Sequence, residues 1–185
     1  MKRILSCICL MVLLSGCAGN QGEMDRAMAL RSALLAGELQ FQAQITADYG
    51  QELYEFSVDC QVDKTGKLAF SVAAPESISG IAGEISASGG ALKFDEEALA
   101  FPFLADGQIT PVSAPWVLMN TLRSGYLTSC GTESGVLRIS LDDSYEDDAL
   151  HVDVWLDQQD MPSRAEILWQ GRRILSIQVS NFQIV

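Results

Sequence analysis

The sequence predicts an α+β fold: an antiparallel meander of about eleven strands, apolar on one face and polar on the other, interrupted by helical segments. Three observations carry this. After Gly37, apolar residues recur at every second position and continue to do so, with interruptions, to the C-terminus. The breaks between runs hold turn-forming residues, such as Gly50-Gln51 and Asp63-Lys64-Thr65-Gly66. Two stretches depart from the period of two: an amphipathic one before Gly37 and a densely apolar one between Pro111 and Ser124.

In chain order, Lys2 and Arg3 precede an apolar run from Ile4 to Leu14, which ends in Ser15-Gly16-Cys17. The run is shorter than the roughly 20 residues a membrane-spanning helix needs, and its layout is that of an export signal. Leu14-Ser15-Gly16-Cys17 resembles the bacterial lipobox. That resemblance implies removal of residues 1–16 and lipidation of Cys17 as the new N-terminus. Residues 17–23 are small or polar and read as a lipidated tether, leaving 24–185 as one domain. Two acyl chains are what stable anchoring requires. The expected location is therefore the extracytoplasmic face of a cell membrane, the outer membrane if the host is Gram-negative.

Met24 to Leu35 places Met24, Ala27, Met28, Leu30, Ala33, Leu34 and Leu35 at helical spacing, with Gly37 as the stop. Strand patterns follow through Phe41 to Tyr49, Tyr54 to Val62 and Leu68 to Ala74, where Pro75 intervenes. Weaker strands are predicted at Ile78 to Ala87, Ala91 to Asp95 and Leu99 to Leu104. A short apolar helix is predicted from Ala114 to Arg123, with Pro115 in its first turn. Strands resume at Tyr126 to Thr132, Gly135 to Leu141, Leu150 to Asp157, Arg164 to Gln170 and Arg173 to Ile184.

Composition narrows the function. The 185 residues are 48% hydrophobic with a net charge of −12. Lys2 and Arg3 leave with a signal that carries no acid, so the mature chain stands at −14. Such a surface repels phosphate backbones, which excludes nucleic acid as a natural partner. Of five cysteines, Cys7 and Cys9 lie in the signal and Cys17 takes the lipid. Cys60 and Cys130 remain, either as a disulfide or as two separate buried thiols. A shared inward face is expected for Cys60 with Phe56 and Val58, and one face for Tyr126, Thr128 and Cys130.

No enzyme is expected, and no cofactor or metal. Lys64-Thr65-Gly66 has no Ser-x-x-Lys to act with, no Gly-x-Ser-x-Gly elbow exists, and Lys64-Thr65-Gly66 reads as a hairpin turn. The acidic run Asp142 to Asp148 has Asp147 where a calcium loop needs Gly and Asp153 where it needs Glu, so it reads as a solvated loop. His151, the only histidine, falls on the polar strand face with Asp153, Trp155 and Asp157.

The order of helix, six strands, apolar helix and five strands behind a lipobox resembles the superfamily of LolA, LolB and the mycobacterial LppX/LprG lipoproteins. Local likenesses are Val72-Ala73-Ala74-Pro75, Ile85 to Asp95, Ser113-Ala114-Pro115-Trp116 and Pro162-Ser163-Arg164-Ala165-Glu166-Ile167. The resemblance implies a LolA-like unclosed antiparallel β-barrel capped by helices, with an apolar cavity. On this reading Phe41, Phe56, Val58, Phe70, Trp116, Leu118, Met119 and Leu122 bind an apolar ligand, a lipid or acyl chain. Ile45 and Val72 share the sheet's inner face, and Met24 and Met28 could also line the cavity. The Ala114–Arg123 helix would be a lid hinged at Pro111 and Ser124-Gly125. The alternative is a packed barrel, an envelope interaction or sensor module acting through its surface. Periodicity alone does not separate hollow from packed.

Overall fold

In the computed structural model, residues 21–87, 104–107 and 109–185 are described. Helix α1 spans Gln21–Ala36. Strands β1 (Leu39–Asp48), β2 (Leu53–Val62), β3 (Leu68–Ala74) and β4 (Ala82–Ile85) follow. Helix α2 is Ala114–Ser124, entered through a single 3-10 turn at Pro111–Ser113. The chain ends in β5 (Tyr126–Glu133), β6 (Val136–Asp142), β7 (Leu150–Leu156), β8 (Pro162–Trp169) and β9 (Arg172–Ile184). Nine strands are thus described. The strands expected at Ala91–Asp95 and Leu99–Leu104 lie outside the described residues, except that Leu104 forms an isolated bridge with Ile109.

All nine strands form one antiparallel sheet in the order β4-β3-β2-β1-β9-β8-β7-β6-β5. Each half is a meander, and the last strand returns to pair with the first, Ile45 opposite Ile177 and Ala43 opposite Val179. Strands β4 and β5 are the two ends of the described sheet, so it is not closed. Turn chemistry sets the registers. Asp63 Oδ1 accepts from the Thr65 and Lys67 N–H groups at 2.8 and 3.1 Å, and Gly66 takes φ +88°, so Lys64-Thr65-Gly66 is the β2–β3 hairpin turn. Asp157 does the same for β7–β8, accepting from Gln159 and Met161 at 2.8 and 2.9 Å.

Three boundaries differ from expectation. Helix α1 takes in Gln21, Gly22 and Glu23, which composition assigns to the tether; Glu23 in its first turn suits the positive end of the helix dipole. After Pro75 the chain forms a 3-10 turn, Glu76–Ile78, before β4, so the strand starts at Ala82 rather than Ile78. On β5, a register shift between Leu127 and Ser129 breaks the alternation. Tyr126 stands opposite Asp142 while Cys130 faces Ile139, so Tyr126 and Cys130 do not share a face.

The inner face of the sheet is covered by both helices. Helix α2 buries Val117, Leu118, Met119 and Leu122, and α1 buries Ala27, Leu30 and Leu34, in one continuous hydrophobic core. Two arginines fix the helices. Arg31 of α1 donates to the carbonyls of Leu122 and Gly125, both at 2.8 Å, which satisfies orphaned acceptors at the end of α2 and favours its negative pole. Arg123, in the last turn of α2, donates to Asp63 O and Lys64 O at 3.1 and 2.6 Å, tying the helix to the β2–β3 hairpin.

At Gly125 the chain leaves α2 for β5 in close quarters. A Cβ there would lie 2.6 Å from Thr121 O and 2.9 Å from Asp142 O. Gly125→Ala is expected to destabilise the protein by about 1–3 kcal/mol. Gly22, which meets nothing within 4 Å, is the control. Its replacement by Ala should be neutral or stabilising by up to about 1 kcal/mol. Denaturant unfolding of the two variants checks both.

Candidate functional site

The residues expected to line a cavity join one buried hydrophobic cluster. Phe41, Phe56, Val58 and Phe70 point inward from β1, β2 and β3, and Leu118, Met119 and Leu122 enter the same cluster from α2, which approaches the sheet at β6, β8 and β9. Leu118 has no exposed surface and Met119 almost none. Trp116 packs half-buried against the same cluster, and Phe182 stacks on Phe41 at 5.5 Å. Met24 and Met28 are 36% and 45% exposed on the outer side of α1 and are not part of this interior. The indole N–H of Trp116 and the hydroxyl of Thr121 are buried without a hydrogen-bond partner among the described residues. An acyl chain carries no acceptor that would satisfy them.

Cys17 lies outside the described residues. Cys60 and Cys130 are buried thiols, not joined in a disulfide. The structure does not bring them together in the sheet: β2 and β5 are separated by β1, β9, β8, β7 and β6. Burial pushes both thiols above the usual range, with the Asp59 charge adding to the effect at Cys60 and that of Glu23 at Cys130. Such thiols are poor nucleophiles.

The outer face of the sheet divides into two unlike halves. Over β5 to β8 it is a charged network. Asp153, its side chain 5% exposed, accepts from Arg138 (2.6 Å) and Ser140 (2.6 Å) and lies 3.3 Å from His151 Nε2. His151 Nδ1 meets Asp142 at 2.6 Å. Trp155 donates to Glu133 at 3.1 Å and lies between the Arg138 and Arg164 guanidinium groups, 5.3 and 4.4 Å from its ring. Glu166 closes the network on Arg164 and Arg173. Ser140 donates to Asp153, whose carboxylate is paired with Arg138 and held below its usual pKa, which makes it a weak base toward the hydroxyl. Among the described residues no group of three or more potential ligands could hold a metal. Of the Asp142–Asp148 stretch, Asp142 ends β6 and the rest lies in the β6–β7 connection, closed by Asp143 Oδ1 accepting from the Leu150 N–H at 2.8 Å.

Around the bulge between β9 and β1 the outer face is poor in charge, with Asp59 the one charged side chain lining it. Gln40, Gln42, Asp59, Gln61, Ser71, Asn181 and Gln183 surround an open hollow of about 440 Å³, whose floor is the backbone around Phe41, Cys60 and Phe70. A bulge forms it: Gln40 pairs with Gln183 and Gln42 with Ser180, so Asn181 is extruded at φ +54°. Its amide donates to Gln42 Oε1 at 2.7 Å, and Gln42 donates to Asp59 at 2.8 Å. Sequence reading takes these residues as a plain polar face. The signal available was the concentration of amides in Gln40-x-Gln42-x-Gln44, Gln61 and Asn181-x-Gln183; the bulge that gathers them was not legible.

No family model matches the sequence, and no curated protein does either. Solved structures of similar outline exist. A LolA superfamily protein from Nitrosomonas europaea shares 11% identity over 86% of this chain and 93% of its own, with a TM-score of 0.44. LprF from Mycobacterium bovis shares 12% over 87% and 92%, with a TM-score of 0.39. The MucA/MucB complex of Pseudomonas aeruginosa shares 16% over 86% of this chain and 56% of the matched chain, with a TM-score of 0.37. The likeness is one of fold outline.

The charged half yields a pH dependence. Burial raises the pKa of Asp153, but the hydrogen bonds from Arg138 and Ser140 and the nearby charges outweigh it, and the net value is lowered. Its contribution to stability is therefore complete above the unfolded-state value of about 3.9 and is lost as pH falls through the lower native value. Asp153→Asn is expected to cost about 1–3 kcal/mol at pH 7. The difference from wild type should shrink below about pH 4, as urea unfolding at a series of pH values will measure.

Proposed function

We propose that this protein is a lipid-anchored component of the bacterial envelope whose barrel is packed solid and whose role, interaction or sensing, is carried by its surface. The observation that supports it is the filling of the sheet's inner face by α2. A ligand lodged there would have to displace Leu118, Met119 and Leu122, which are buried in one core with the inner face of the sheet. Each such side chain is worth about 1.5–3 kcal/mol when buried. No helix among the described residues is long and apolar enough to cross a membrane, and Cys17 behind Leu14-Ser15-Gly16 supplies the anchor. Only Ala18, Gly19 and Asn20 separate Cys17 from α1. At about 3.6 Å per residue the start of α1 stays within about 14 Å of the lipid.

Two measurements test this. Native mass spectrometry of the acylated chain released from detergent should give the polypeptide with its covalent acyl groups and nothing more. A stoichiometric further lipid would restore the cavity as the functional site. Replacement of Cys17 by Ser should leave the chain unprocessed or release it from membranes; processing at the same bond with retention in the membrane would remove the anchor.

A further inference from the structure

We propose that the hollow on the outer face of β9, β1, β2 and β3 binds a neutral glycan. This rests on the reading that the surface carries the function, and it names the chemical class of the partner.

The chemistry of the lining decides the class. Four glutamines, an asparagine, a serine and one aspartate face the hollow, and neither arginine nor lysine is among the lining residues. Phosphates and carboxylates therefore meet no counter-charge there, and the net charge of −12 repels them further. An acyl chain would desolvate amides without replacing their hydrogen bonds, which is costly. A strongly cationic peptide would find a single carboxylate in this hollow, Asp59, already engaged by Gln42, and would meet others, Glu38, Asp63 and Glu84, only in the adjoining one. Neutral sugars fit instead. Each carboxamide offers two donors and an acceptor, and each sugar hydroxyl both donates and accepts, so a row of amides can pair with successive hydroxyls.

The geometry adds two points. Adjacent strands hold their side chains about 4.8 Å apart, so Gln40, Gln61 and Gln183 present amides at spacings that suit neighbouring sugar hydroxyls. Gln42 is held from both sides, by Asn181 and by Asp59, at 2.7 and 2.8 Å. That chain orients the centre of the site before any ligand arrives and lowers the ordering cost of binding. The volume, about 440 Å³, lies in the range of small-molecule sites, about 300–1,000 Å³. A second hollow, which shares Gln40, Gln61 and Ala69 with the first and adds the charged Glu38, Asp63, Lys67 and Glu84, adjoins it, so a chain of sugars could continue past Gln61. Lys67 in that extension is paired with Glu84 at 2.7 Å.

The test is calorimetric titration of the mature acylated chain, held in phosphatidylcholine nanodiscs, with chitohexaose and separately with cellohexaose. Saturable binding of at least one is expected. The paired change Gln61→Ala and Gln183→Ala should weaken it tenfold or more, while Gln44→Ala, on the same strand face but outside the hollow, should leave it unchanged. All three positions are solvent-facing, and a circular dichroism melt will show that the fold is kept. Failure of both glycans to bind overturns the proposal, as does equal weakening by Gln44→Ala. Binding of oligolysine in their place would assign the hollow to a cationic peptide. The lipid measurement on the interior is independent: an extra lipid there with glycan binding retained overturns the packed core and leaves the hollow as a separate site.

Discussion

An open antiparallel sheet with one apolar face cannot stand alone, because nothing in its own strands removes that face from water. The fold depends on how α2 meets this constraint. The sequence places a densely apolar helix in the long connection between β4 and β5, and the return of β9 to β1 joins the two meanders into one surface for it to cover. Hydrophobic burial would leave such a helix free to slide. The arginines remove that freedom: Arg31 holds the last carbonyls of α2 from one side, and Arg123 holds the β2–β3 hairpin from within α2. Both use charge-assisted hydrogen bonds to backbone carbonyls, and the Leu122 carbonyl, in the last turn of α2, has no partner within its own helix.

What was legible in the sequence follows from period and turn chemistry. Strict alternation in Phe41 to Tyr49 and Tyr54 to Val62 locates β1 and β2 to within a residue or two, and Pro115 marks the first turn of α2. The errors have local causes. Met24, Met28 and Leu35 keep helical spacing yet stand exposed, because only a narrow stripe of α1, Ala27, Leu30 and Leu34, reaches the core. The bulges on β5 and β9 change which side chains share a face without leaving a mark in hydropathy. Long-range pairing was illegible too. Nothing near Cys60 or Cys130 reveals that five strands lie between them.

The two halves of the outer face treat their polar groups in opposite ways. Over β5 to β8 the charges satisfy one another: Arg138 with Asp153 and Glu133, Arg164 and Arg173 with Glu166, and His151 with Asp142 and Asp153. A network closed in this way has few bonds left to offer a partner. In the hollow over β9, β1, β2 and β3 the polar side chains besides Asp59 and Ser71 are neutral amides, and apart from the Asn181–Gln42–Asp59 chain they turn toward solvent. Recognition needs groups whose hydrogen bonds are still exchangeable with water, so the half that holds the hollow is the better equipped of the two.

The same clamp that stabilises the fold bears on the choice between a lid and a plug. For α2 to swing out at Ser124-Gly125, the bonds from Arg31 to Leu122 O and Gly125 O and those from Arg123 to the hairpin would have to break together. Hydrogen bonds of this charged type are worth about 1.5–3 kcal/mol each. Losing even two holds an open state to about one part in a hundred or less, since each 1.4 kcal/mol is tenfold. Gly125 is held as well, its N–H donating to Thr121 O at 2.8 Å. At the other end, the Ser113 hydroxyl donates to Thr110 O at 2.8 Å and accepts from the Thr110 N–H at 3.2 Å, which closes the turn leading into the helix. On the proposed reading of a packed barrel, a helix fastened at both ends in this way behaves as part of the wall. What it contributes is rigidity, and rigidity is what a sheet needs if its opposite face is to hold polar groups in a fixed array.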